Sequence, residues 1–228
     1  MKNTLILLLS AFALCASAKN AAELVAEFNA KAAHGCDFPV AMQIAAENSA
    51  DVAAAIPVWT ADADLLKSNE ELSAEQRKNA QAARMIAGQY LTANPEAIKT
   101  LPLRFACHVI SSKVVDVFGA DNPNFYADLK AADFKIDGVR LPVNSIVQMA
   151  CTANDAEYIA SMPVSQAVQS PRYIDVMARW LLESDDISAS IKKAQEIETY
   201  YITAGKEVPS KLKAVLTALA RRLATSKM

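Results

Sequence analysis

From residue 20 onward, apolar runs with helical spacing are separated by short polar caps, glycines and prolines. Apolar positions recur three and four residues apart, as one face of an α-helix requires. The pattern predicts helices over 21–33, 40–48, 50–56, 60–67, 73–92, 95–101, 103–118, 124–131, 143–152, 155–161, 171–183, 187–204 and 209–225. Ser73 and Gln76 have the spacing of a capping box, whose side chains satisfy the first unpaired N–H groups of a helix. Ser170-Pro171 puts an N-cap residue ahead of a proline at the first helical position. Gly205, able to enter the left-handed region, is expected to close the helix over 187–204.

Three segments resemble one another: "NSADVAAAIP" (48–57), "ANPEAIKTLP" (93–102) and "NDAEYIASMP" (154–163). Each runs from a small polar residue (Ser49, Asn94, Asp155), through an acid two positions on (Asp51, Glu96, Glu157), to an apolar run and a proline. A small polar side chain caps the first N–H groups, and an acid in the first turn suits the positive end of the helix dipole. The proline then stops or redirects the chain. The prolines at 57, 102, 163 and 209 recur near the ~40–47-residue period of HEAT or armadillo helical hairpins, with one longer step. Two related halves or an irregular helical bundle with similar caps give the same pattern. The expected fold is therefore all-α: helical hairpins, either as an α-solenoid-like array or as an irregular bundle.

Residues 119–141 break this rhythm. They begin with Gly119 and the turn-rich "DNPN", and end in "FKIDGVRL", where apolar and polar positions alternate around Asp137-Gly138. That is a β-hairpin signal over 134–141. A lone hairpin is marginal, so it must lean on the helices through Phe134, Ile136 and Tyr126. The segment reads either as a structural connector or as a binding loop carried on a rigid scaffold. In the second case Phe125, Tyr126, Phe134 and Arg140 are its candidate contact residues.

The first residues follow other rules. Lys2, an apolar run from Thr4 to Cys15 and the small-residue sequence Ala16-Ser17-Ala18 form the pattern of a cleaved secretory signal over 1–18. The run is shorter than the ~20 residues a spanning helix needs. The mature chain then begins near Lys19 as one helical domain, 19–228, with the insertion at 119–141. A lipoprotein signal ending at Cys15 is the rival, disfavoured by the bulky Leu14 before it. Export to the periplasm or the exterior follows, with no transmembrane anchor expected.

Composition supports helix: the chain is alanine-rich and holds only 5 glycines. Lys+Arg 23 against Asp+Glu 25 leaves a net charge of −2. Basic residues gather from 206 onward, leaving a clearly acidic remainder, which does not suit a nucleic-acid partner. In the last helix, Leu212, Val215, Leu216, Leu219 and Leu223 share one face, and Lys211, Lys213, Arg221, Arg222 and Lys227 lie off it. This reads as a terminal capping helix or as a basic surface for an acidic partner.

Catalytic chemistry is sparsely marked. Cys36, Cys107 and Cys151 survive signal removal, and in an oxidising compartment a Cys107–Cys151 disulfide is a candidate pairing; buried thiols are the other reading. His34, Cys36, Cys107 and His108 are of zinc-ligand type but lack a zinc-finger spacing, so no metal and no cofactor is expected. Ser190 with Lys193 and Ser210 with Lys213 match S-x-x-K without the companion elements of that chemistry. The acid pairs Asp62/Asp64, Glu70/Glu71 and Asp185/Asp186 each lie at a helix start or in a polar connection. The expectation is an exported helical-repeat interaction protein that binds a protein or a cell-envelope component. A helical hydrolase or lyase acting on an envelope polymer, and a structural protein without a ligand, are the alternatives.

Overall fold

A computed structural model describes residues 18–225. Residues 1–17 of the expected signal segment and the terminal Lys227 lie outside the described residues. The chain is mostly helical with one small antiparallel hairpin, as its apolar spacing requires. Among the described residues, no helix is long and apolar enough to cross a membrane. The chain divides between Asn94 and Pro95 into two compact units.

The first unit contains α1 (Ala21–Lys31), α2 (Phe38–Glu47), α3 (Ser49–Ala61), 3-10 turns at Ala63–Leu66 and Asn69–Glu71, and α4 (Ala74–Ala93). Helix α4 packs on α1, α2 and α3. Its buried stripe of Ala80, Ala83 and Ala87 keeps the neighbouring backbones close, and Leu24, Phe28, Ile44, Val52, Trp59 and Ile86 fill the core. The Ser73/Gln76 capping box is present.

A 3-10 turn at Ala63–Leu66 takes the place of the helix expected over 60–67, and the second follows at Asn69–Glu71. They are held by Arg84, whose guanidinium donates to the carbonyls of Leu65 (3.0 Å), Asp64 (3.2 Å) and Lys67 (2.7 Å) and to Asn69 Oδ1 (3.3 Å). A planar five-donor fork can satisfy several carbonyls that an irregular turn leaves unpaired.

The second unit contains a 3-10 helix (Pro95–Thr100), α5 (Leu103–Asp121), α6 (Phe125–Ala131), β1 (Lys135–Ile136), β2 (Val139–Arg140), α7 (Val143–Thr152), α8 (Ala156–Ser161), α9 (Val164–Ala167), α10 (Tyr173–Glu183), α11 (Ile187–Thr203) and α12 (Ser210–Thr225). Helix α5 packs along α7, with a non-helical break at Ile110, and α12 packs on both α10 and α11. The core runs through Val147, Ile159, Tyr173, Met177, Leu181, Ile197, Leu212, Val215 and Leu219. The apolar face of the last helix is thus spent inside the unit. Gly205, at φ +63°, ends α11 as expected: Gly205 N–H reaches Ile202 O (3.1 Å) and Lys206 N–H reaches Tyr201 O (2.9 Å). Helix α10 starts later than expected, at Tyr173, with Ser170 Oγ accepting from Arg172 N–H.

The three proline-ended segments take three different forms. The first is α3, which continues through Pro57 to Ala61, because Val52, Ile56 and Trp59 are buried on both sides of the proline. The second is a 3-10 helix, and its expected cap, Asn94, instead donates back to Tyr90 O and closes α4. In the third, Asp155 does cap α8 by accepting from Tyr158 N–H (3.1 Å), and the helix stops at Ser161. Ser49 lies inside α3 and makes no cap bond. The shared pattern encodes similar local chemistry, and packing resolves it differently each time.

The hairpin forms where the alternation places it, with Lys135 opposite Arg140 and Ile136 opposite Val139. Asp137 and Gly138 both have positive φ, as a two-residue turn of this hand needs. Asp133 and Phe134 also have positive φ (54° and 53°). Such a backbone is strained for a bulky residue. Burial of the Phe134 ring holds it there, with Phe134 N–H bonded to Leu129 O (2.8 Å) and Leu141 N–H to Phe134 O (2.9 Å).

Candidate functional site

The expected contact residues of the 119–141 segment do not form an open surface. Phe134 is 1% exposed and packs against the rings of Tyr126 and Tyr158. It is an anchor, which corrects its place among the binding residues: the hairpin is too short to stand alone, so its largest apolar side chain goes inward. Phe125 stacks on Phe118, and the exposed Arg140 pairs with Asp133 at 3.4 Å. The Tyr126 hydroxyl donates to Asp155 Oδ2 (2.9 Å), and Lys130 Nζ bonds the same oxygen. Burial raises the Asp155 carboxyl, but the bonds from Lys130, Tyr158 N–H and Tyr126 outweigh it and leave the group below the usual carboxylate range. Burial, then the Asp155 bond, pushes the Tyr126 phenol up. One carboxylate therefore caps α8 and ties α6 to it, a structural assignment for a segment that also reads as a binding loop.

The three cysteines among the described residues are free: Cys36 is exposed, Cys107 and Cys151 are buried. Of the two readings, the Cys107–Cys151 disulfide is not formed, and both thiols pack as small hydrophobes. Burial pushes Cys107 up to about 12 and also raises Cys151. Among the described residues no group of three or more His, Cys, Asp or Glu is placed to hold a metal ion. Ser190 is buried without a hydrogen-bond partner and Lys193 bonds Glu196, so this S-x-x-K pair makes no serine–lysine hydrogen bond. Ser210 is simply the first residue of α12.

The basic residues of α12 divide by role. Arg222 donates to Leu182 O (2.6 Å) and Ser184 O (3.2 Å), satisfying carbonyls at the end of α10. Lys213 and Arg221 are exposed on the helix surface. Lys211 faces the other way along the helix and bonds Asp175 of α10.

That bond crosses a groove of ≈ 760 Å³ between α10 and α12. Helix α10 and its N-cap contribute Arg172, Asp175, Val176, Arg179 and Leu182, which share one face by their spacing; α12 contributes Lys211, Ala214, Val215 and Ala218 in the same way. The two alanines lack the side-chain length to fill the space between the helices. Three cations therefore surround a single carboxylate above an apolar floor. The bond from Lys211 holds Asp175 below the usual carboxylate range, and Arg172 and Arg179 add to the effect. Neither arginine's guanidinium makes a hydrogen bond or ion pair among the described residues, so both keep a full set of donors. A smaller pocket of ≈ 260 Å³ shares Asn154, Val176 and Arg179 with the groove and brings in Asp155, Glu157 and Glu183.

The first unit has a groove of ≈ 550 Å³ lined by Trp59, Asp62, Asp64, Asn29, Gln76 and Asn79 among others. Its polar groups are already engaged. Asp62 Oδ1 accepts from Asp64 N–H, Asp64 binds Lys67 and Gln76, and Asn29 binds Asn79.

The sequence reading named Lys211 but missed Arg172 and Arg179. Their three- and four-residue spacing with Asp175 was available as a signal. Which helix that face meets was not. Comparisons with family models, with curated proteins and with solved structures find no match.

Proposed function

We propose that this chain is an exported helical binding protein, and that the α10–α12 groove receives an acidic, partly apolar segment of a partner protein. The observation that carries this reading is the lining: Arg172, Arg179 and Lys211 against one carboxylate, Asp175, beside Leu182, Ala214 and Ala218, the apolar side chains of the groove that reach solvent. An arginine fork binds a carboxylate through two parallel hydrogen bonds. The apolar floor suits a peptide that alternates acids with aliphatic side chains, as a helix laid in a groove does. A wholly hydrophilic anionic polymer would leave that floor uncovered. The reading needs a rigid helical frame and does not need the proline-ended segments to be copies of one repeat. The leader pattern, Lys2 to Ala18, supports a partner outside the cytoplasm.

The alternative of a hydrolase has its best foothold at Asp62 and Asp64. There the Lys67 bond holds Asp64 low, the opposite of the upward shift a general acid needs.

Binding is tested by fluorescence anisotropy with a labelled amphipathic peptide carrying glutamates and leucines at helical spacing. The expected result is saturable binding that weakens as salt rises and weakens at least ~10-fold in the Arg179→Glu/Lys211→Glu double variant, a loss of about 1.4 kcal/mol. The variant should fold, because exposed pairs such as Lys211–Asp175 contribute at most about 1 kcal/mol. Binding that ignores the charge reversal, or no binding at low salt, overturns the proposal. Inorganic polyphosphate that binds where the peptide does not would replace the peptide with a polyanion.

A further inference from the structure

We infer that the Ala18–Lys19 bond is a processing site, and that the amine released at Lys19 docks on Asp51 as a built-in lock of the mature fold. The inference rests on the export reading above. Its geometry is independent of that reading. Ala18 is exposed, so the bond before Lys19 is accessible. Lys19 is half-buried and held at both ends: its backbone nitrogen donates to Asp51 Oδ2 at 3.0 Å, and its Nζ bonds Glu27 Oε2 at 2.7 Å and Asn48 Oδ1 at 2.8 Å. Three elements thus converge on one residue: Glu27 of α1, Asn48 at the α2–α3 junction and Asp51 in the first turn of α3. Asn48 is itself oriented by its Nδ2 bond to Ile44 O (3.0 Å). Immediately after Lys19, Asn20 and Glu23 close the capping box that starts α1. Helix α1 is therefore capped immediately after the residue where the small-residue cleavage pattern ends.

The chemistry changes at that nitrogen. While the chain is intact, it is a neutral amide donating one hydrogen bond. A signal peptidase adds water across the bond: the Ala18 carbonyl carbon takes the hydroxyl and leaves as a carboxylate, and the Lys19 nitrogen becomes an amine that takes up a proton. The same nitrogen, already 3.0 Å from Asp51 Oδ2, is then an ammonium with three donors. Charge-assisted bonds of this kind are roughly twice as strong as neutral ones. Cleavage one residue earlier or later would put the charge out of place: a longer end leaves an amide at Lys19, and a shorter one deletes the bonds to Glu27 and Asn48.

The test uses the full-length protein, exported and purified, in four forms: wild type, Asp51→Asn, a form with Gly-Ser inserted between Ala18 and Lys19, which moves the ammonium two residues away, and the insertion combined with Asp51→Asn. Intact mass gives the mature N-terminus and thermal unfolding gives stability. The expected result is a wild-type N-terminus at Lys19 and a Tm roughly 2–5 °C above the insertion form. In the Asp51→Asn background that difference should vanish. An N-terminus at Lys19 with equal Tm values overturns the lock and leaves export standing. A mature chain that starts elsewhere, or no cleavage, overturns both.

Discussion

Asp155 is expected to be the most costly exposed-to-half-buried acid to remove from the second unit. Its carboxylate accepts from Tyr158 N–H, Tyr126 O–H and Lys130 Nζ, and its side chain is 16% exposed. Loss of an N-cap costs about 1 kcal/mol. The bond from the half-buried Tyr126, which would be left unsatisfied, adds about 1.5 kcal/mol. The Lys130 pair adds about 0.5 kcal/mol because Lys130 is substantially solvated. Asp155→Ala should therefore destabilise the second unit by about 3 kcal/mol. With a urea dependence near ~1.5 kcal/mol/M, the midpoint falls by ~2 M. The chain has 2 tryptophans, Trp59 in the first unit and Trp180 in the second. In a Trp59→Phe background, Trp180 fluorescence thus reports the second unit alone.

The pH dependence adds a second, independent readout. A carboxyl whose folded value lies below its unfolded one stabilises the fold above the unfolded value, near ~3.9, and that stabilisation disappears as pH falls through the folded value. The stability gap between wild type and Asp155→Ala should be full at pH 6 and shrink between pH ~4 and ~2. A gap below about 1 kcal/mol at pH 6, or one that is the same at both ends of this range, would refute the assignment of Asp155 as the tie between α6 and α8.

Three further outcomes follow from the packing. Arg84→Ala removes four hydrogen bonds from the 62–71 turns and should cost the first unit about 2–4 kcal/mol by Trp59 fluorescence; Arg84→Lys should recover little, because an ammonium cannot span the fork. Phe134→Ala should cost about 3–5 kcal/mol and expose the hairpin to limited proteolysis, since the buried ring is what holds a strained backbone. A thiol reagent applied to the native protein should label Cys36 quickly, while Cys107 and Cys151 react only on unfolding; a non-reducing mass that shows an intramolecular disulfide between the last two would contradict their burial as free thiols.

What the sequence determined by itself is local. Helical spacing, the Ser73/Gln76 capping box, the Gly205 stop and the Asp137-Gly138 turn each depend on residues a few positions apart, and each appears in the structure. Physical rules at that range concern backbone dihedrals and nearby N–H and C=O groups, which the chain carries wherever it folds. What the tertiary structure decided is which local option survives. Pro57 does not end its helix because Val52, Ile56 and Trp59 are buried around it. Asn94 caps backwards, onto Tyr90. Phe134, which the sequence offered both as an anchor of the hairpin and as a contact residue, serves as the anchor. Arg172 and Arg179 form a groove only because Lys211, far along the chain, comes to rest against Asp175. Those outcomes depend on which apolar faces bury against one another, and that choice is a property of the whole packed unit, written nowhere in any short stretch of residues.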